Sequence, residues 1–164
     1  MDWQNLLNTE LPDHASILAG LQGLLPPPVA PYSRLPLYRG ADGEVLLVSW
    51  SEAVECAPHD HSLATGRVAL LRGVFTERFW QWKQRRLMLL NVRHWQAGTV
   101  LSVSAGSIHS MQAEGGGISL HLYTPAITGM RVYDLKTHRT LTVSDDCGAW
   151  IPEDDAHIVS VERW

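Results

Sequence analysis

The sequence predicts an all-β domain: a barrel or sandwich of short strands behind a short N-terminal helical segment. Three observations predict it. Short apolar runs recur at fairly regular spacing from Tyr32 onward, turn residues separate them, and the one stretch with helical spacing ends in a proline run.

The helical stretch is DHASILAGLQGLLPPP. Asp13 is a plausible N-cap, and Ile17, Leu18, Leu21, Leu24 and Leu25 repeat at helical spacing until Pro26, Pro27 and Pro28 end the run. Such a stripe is expected to pack on the outside of the main body. The strand-like runs are EVLLVSW (44–50), RVALLRGVF (67–75), RRLMLLNVRHW (85–95), TVLSV (99–103), ISLHLYT (118–124), MRVYDL (130–135) and TLTV (140–143), with HIVSVERW closing the chain. Turns fall at Ala41-Asp42-Gly43, Ala105-Gly106-Ser107 and Gly115-Gly116-Gly117. The expected organisation is one domain over 1–164, a helical segment at about 1–28 and a barrel at about 32–164.

Composition narrows the function classes. At 164 residues, with 45% hydrophobic and 18% charged residues, the chain can bury a sizeable core. The net charge of -4, without a basic run, argues against nucleic acid as a partner. No apolar run is long enough to span a bilayer, and MDWQNLLNTE lacks the basic and apolar regions of a signal peptide. A cytosolic monomer is expected, with Cys56 and Cys147 as free thiols.

The histidines carry the chemistry. His59 and His61 flank Asp60, and in a strand residues i and i+2 face the same side, so the two imidazoles would converge. Imidazole suits divalent iron, zinc, copper and nickel. Gly73 lies twelve residues after His61, and Gly98 opens GTVLSVSAGSIH, which ends at His109. This order resembles the two motifs of the cupin superfamily, with Ser104 in the usual proline place. The resemblance implies a jelly-roll β-barrel with a metal in its mouth.

Many cupins add a glutamate four or five residues after the second histidine, but here those places are Thr65 and Gly66. Three neutral imidazoles leave the charge of a divalent metal uncancelled, which favours an anionic ligand such as a thiolate. Glu52, Glu55 and Asp60 remain possible carboxylates. Asp60, lying between the two histidines, is expected to face outward. The strand ISLHLYT places Ser119, His121 and Tyr123 on one face and Leu120 and Leu122 on the other. That polar row is either a hydrogen-bonded chain inside the barrel or the wet side of an edge strand.

Together these pieces resemble the cysteine dioxygenase family of thiol dioxygenases. The marks are Y-S-R-L-P-L-Y (32–38), EVLLVSW, PHDH followed by ATG and LLRG, the spaced His109, and SLHLYTP (119–125). The resemblance implies one Fe²⁺ on His59, His61 and His109, with Arg34 holding the substrate carboxylate beside Tyr32. It also implies Tyr123, set by His121 and Ser119, orienting dioxygen or substrate, and O₂ adding to the sulfur of L-cysteine. In mammalian-type members a cysteine linked to the tyrosine stands at Gly66 and another pocket cysteine at Met130; both differ here, so Tyr123 is expected to be unmodified. Relative to that pattern the chain looks shorter at both ends. Members acting on 3-mercaptopropionate typically carry glutamine at the place of Arg34. The alternatives are a dioxygenase for that or another small thiol, and a non-catalytic metal- or ligand-binding cupin. His14, His94, His138 and His157 are read as structural or surface residues. Trp80, Trp82 and Trp95 are read as packing residues, and Glu153-Asp154-Asp155 as a solvated loop.

Overall fold

A computed structural model describes residues 1–164. Asp13 caps α1 (His14–Gly20) by accepting from the Ser16 amide. The helix stops earlier than its apolar spacing suggested. Gly20 is followed by a turn, Gly23 has a positive φ, and Leu24 and Leu25 are each 41% exposed. A further 3-10 turn, Asn5–Leu7, escaped the sequence reading because three residues carry no periodicity.

Eleven strands follow: β1 (Tyr32–Gly40), β2 (Gly43–Trp50), β3 (Thr65–Arg72), β4 (Val74–Lys83), β5 (Arg86–Gln96), β6 (Val100–Val103), β7 (Ile108–Ala113), β8 (Gly117–Thr124), β9 (Arg131–Asp134), β10 (Arg139–Val143) and β11 (Ile158–Arg163). The run RVALLRGVF is divided between β3 and β4. Gly73 breaks it with φ +109, in the left-handed region that favours glycine, and an added Cβ there would lie 2.6 Å from the Gly116 carbonyl oxygen.

One sheet has the order β1-β2-β8-β3-β6. Its β2 is buried along its whole length because both faces are covered, which explains the unbroken apolar run VLLV. Leu46, Val48 and Trp50 face the barrel interior with Val68, Leu70 and Phe75. Val45 and Leu47 face outward with Leu120 and Leu122, under Leu6, Ile17 and Leu21 of the N-terminal segment. The helical stripe thus packs on the outside, as expected.

The opposite wall consists of β5-β4-β7 and β11-β10-β9. The extended segment 56–60 joins them. Cys56 N–H donates to Met111 O (2.9 Å) and His59 exchanges both backbone bonds with His109 (2.9 and 3.0 Å), while Asp60 N–H donates to Arg131 O (3.0 Å) and Tyr133 N–H to Pro58 O (2.8 Å). His59 pairs with His109 on one side and Val132 on the other. His59 and His61 therefore sit on a connector with a single bridge position rather than in a regular strand. No helix is long and apolar enough to cross a membrane.

Candidate metal centre and its surroundings

The connector and β7 bring His59, His61 and His109 together, all buried, with one ligand atom from each within 4.8 Å of the others. Their ring centroids are 4.7 to 5.1 Å apart. Burial, then the neighbouring imidazoles, pushes His59 and His61 well below the ordinary histidine range, so both are neutral. His59 Nδ1 lies 2.9 Å from the Ala57 carbonyl, to which it donates, and this leaves Nε2 as a lone pair. His109 Nδ1 lies 2.7 Å from Glu77 Oε1, and His109 Nε2 is buried without a partner, as is His61 Nδ1. Buried nitrogens without partners are costly unless something binds them. A divalent cation fits this donor set.

Asp60 stays out of the histidine group and plays a structural part, as expected, but beneath other strands instead of at the surface. It points away from the histidines but is 0% exposed. Its carboxylate accepts from Arg131 Nε (2.8 Å), Tyr133 Oη (2.7 Å) and the Ser62 amide (2.9 Å), with Arg131 Nη2 at 2.7 Å. It therefore clamps the connector to β9. Glu55 binds Ser110 Oγ (2.6 Å) and Arg78, and Glu52 is exposed; neither belongs to the histidine group.

The row on β8 faces inward. Ser119 is 0% exposed, Tyr123 is buried and His121 is half-buried. Trp50 Nε1 donates to Ser119 Oγ (2.8 Å), Ser119 Oγ lies 2.7 Å from His121 Nε2, and His121 Nδ1 lies 3.0 Å from Tyr123 Oη. Indole only donates, and the fully buried Ser119 hydroxyl meets no acceptor other than His121 Nε2, so its proton goes there. His121 then carries its proton on Nδ1 and donates to Tyr123. Burial drives His121 down to about 3, so this single tautomer stays neutral. The phenol proton is left to point into the site, where Tyr123 Oη is 3.2 Å from His61 Nε2. Burial raises the Tyr123 pKa well above its ordinary value, keeping the phenol protonated.

These groups line a cavity whose walls also include Arg34, Tyr32, Leu46, Val48 and Met130. Tyr32 Oη accepts from the Ala149 amide (2.7 Å), and its ring lies 4.8 Å from Trp50. Arg34 donates one N–H to the Asp145 carbonyl. A guanidinium has five donors, which leaves others for a ligand. Buried Glu44 accepts from Arg39 (2.6 Å) and the Ile127 amide (2.9 Å), and Arg39 reaches Asp145 Oδ2 (2.8 Å), tying together the loops at the mouth. Beside Tyr123, Gly66 leaves room for the ring: a Cβ there would press on the Leu122 carbonyl oxygen and lie 2.6 Å from Tyr123 Cδ1.

The other sequence readings are placed as follows. Cys56 and Cys147 are free and buried, and burial pushes the Cys56 thiol up to about 12. His14 binds the Leu70 carbonyl, His94 binds Thr76, His157 binds Ser144, and His138 packs on Trp164. Glu153, Asp154 and Asp155 are exposed. Sequence reasoning missed Trp50, Glu44 and Glu77. The last had a visible signal, since a glutamate stands in the apolar strand VFTERFW and is buried there.

Solved structures share the fold at low identity. A protein of Klebsiella pneumoniae with a double-stranded β-helix domain superposes with a TM-score of 0.57 at 15% identity, over 76% of this chain and 92% of its own. A Thermus thermophilus protein gives 0.53 at 15%, over 72% and 99%. A cupin superfamily protein of Desulfitobacterium hafniense gives 0.52 at 14%, over 72% and 92%. At this identity they speak to the cupin fold alone. The family model of cysteine dioxygenase type I matches residues 31–136, more than half of the chain and the stretch that holds all three histidines, Arg34 and the Ser119-His121-Tyr123 row. The chain is a cupin and belongs to the cysteine dioxygenase type I family.

Proposed function

We infer that the protein is an iron-dependent thiol dioxygenase acting on L-cysteine and forming cysteine sulfinate. The observation that carries this reading is the phenol of Tyr123, held by His121 and aimed at a group of three buried, converging imidazoles. Family membership supports the reaction class.

Fe²⁺ held by His59, His61 and His109 would supply the redox chemistry that joins a thiolate to O₂. The remaining tasks fall to the chain. The planar fork of Arg34 suits the substrate carboxylate and fixes its orientation from the mouth of the cavity. Leu46, Val48 and Met130 keep the reacting sulfur in apolar surroundings. The Trp50, Ser119 and His121 chain fixes the phenol proton of Tyr123 toward the substrate side, where it donates a hydrogen bond to developing negative charge. Both oxygen atoms end on sulfur and the thiol provides all the electrons, so no external reductant is consumed.

The test is oxygen uptake by anaerobically purified, iron-loaded protein offered L-cysteine, 3-mercaptopropionate, cysteamine and mercaptosuccinate, with products identified by mass spectrometry. Cysteine sulfinate at one O₂ per thiol is expected. Turnover of another thiol alone would overturn the substrate assignment, and silence on all four at full iron loading would overturn the enzyme reading.

A further inference from the structure

Glu77 has no counterpart in the arrangement of the other two histidines. Its Oε1 lies 2.7 Å from His109 Nδ1, and its Oε2 accepts from Trp95 Nε1 at 2.8 Å. Both side chains of the Glu77–His109 pair are buried. By contrast, His59 Nδ1 rests on a neutral carbonyl, and no carboxylate bonds to His61, which meets Tyr123 instead. Glu77 is thus the one carboxylate in contact with any of the three. Thr65, where many cupins place a carboxylate ligand, is exposed and bonds to Thr124 O.

We propose that Glu77 is a positioning residue that holds His109 with Nε2 toward the metal and supplies, from behind that ligand, the negative charge that three imidazoles lack. This rests on reading the three histidines as the metal site. A carboxylate on the far nitrogen of a metal-bound histidine fixes its tautomer and raises its basicity. Trp95 anchors the second oxygen, and Arg93 lies over the Trp95 and Phe79 rings at 6.0 and 5.1 Å. The pair also forms a wall between two cavities. His109 lines the thiol cavity and, with Glu77, Arg93 and Ser102, a second cavity. Once the carboxylate is removed, a small anion can therefore reach its place from the side away from the substrate.

The measurements are Fe²⁺ affinity by anaerobic chelator competition and the Fe³⁺/Fe²⁺ midpoint potential, neither of which needs turnover. Glu77→Gln is expected to bind Fe²⁺ about 10- to 100-fold more weakly. Its potential should rise, because removing an anion favours the less charged ion. Glu77→Ala should regain affinity in formate but not in chloride of equal ionic strength, with wild-type protein measured in the same formate as the control. Glu77→Gln with wild-type affinity and potential would overturn the proposal. A Glu77→Ala protein equally weak in both salts would assign the loss to packing and overturn the charge role. Iron loss on Glu77→Gln, together with an iron-loaded wild type that oxidises no thiol, would sink the enzyme reading while supporting this one.

Discussion

The indole of Trp50 donates to the hydroxyl of Ser119 across 2.8 Å, from one strand to its neighbour, and so sets the direction of every proton in the chain that ends at Tyr123. Trp50→Phe removes that donor and frees Ser119 to turn. The expected result is a mixture of His121 tautomers by ¹⁵N NMR and a loss of turnover of roughly fivefold, the worth of one hydrogen bond of about 1 kcal/mol. An unchanged tautomer would show that Trp50 does not direct the chain.

Tyr123→Phe keeps the ring that stacks on His61, 4.9 Å between centroids, and removes only the hydroxyl. Turnover should fall on the order of 10²-fold while iron content stays at the wild-type level. Equal loss of both would place Tyr123 in the metal site's architecture instead of its chemistry.

Arg34→Gln keeps a donor but loses the charge and the fork. For cysteine, kcat/KM should drop roughly 10- to 100-fold, the scale of one hydrogen bond to a charged group. Cysteamine, which has no carboxylate, should be affected far less. Parallel losses on both substrates would remove Arg34 from the carboxylate role.

Gly66→Ala places a methyl against the Tyr123 ring and the Leu122 carbonyl. The nearer of the two contacts is backbone, so the paired strands must shift as well as the ring. Overpacking of this kind costs about 1–3 kcal/mol, so both Tm and turnover should fall. A variant with wild-type values of both would mean that the ring has slack.

His59, His61 and His121 all make the metal-free protein lose stability in acid, and the share of His121 can be isolated. Its folded pKa of about 3 lies below the ordinary 6.5. Above pH 6.5 the ring is neutral in both folded and unfolded chains and costs nothing. As pH falls below 6.5 the unfolded chain takes up a proton that the folded one refuses, so stability is lost progressively down to about pH 3. By pH 5 this amounts to at most about 2 kcal/mol. Urea denaturation of wild type and His121→Asn between pH 7 and 5 checks it, the variant having a shallower slope by about one proton.

Much of this was legible before any coordinates, because it depends on local pattern. Alternation in SLHLY alone predicts that Ser119, His121 and Tyr123 share a face, and the helical repeat from Ile17 to Leu21 alone predicts an outer stripe. What stayed hidden depends on pairing between distant strands. Asp60 reads as outward-facing by alternation, yet its outer side lies under Arg131 and Tyr133, more than seventy positions away in the chain. Glu77 is one glutamate among several until β4 pairs with β7 and sets it behind His109. The connector 56–60 lacks a strand pattern because it is pinned by two neighbours and not by a face of its own.

That connector gives the centre an unusual dependence on the fold. The backbone of His59 is the seam between two otherwise separate hairpin groups, so half of this wall cannot close without the stretch that carries two of the three histidines. The ligand set is therefore not a decoration added to a finished barrel. Assembling the donors and welding the sheet are one cooperative event, and a cation that holds His59 in place also holds the two hairpin groups to each other.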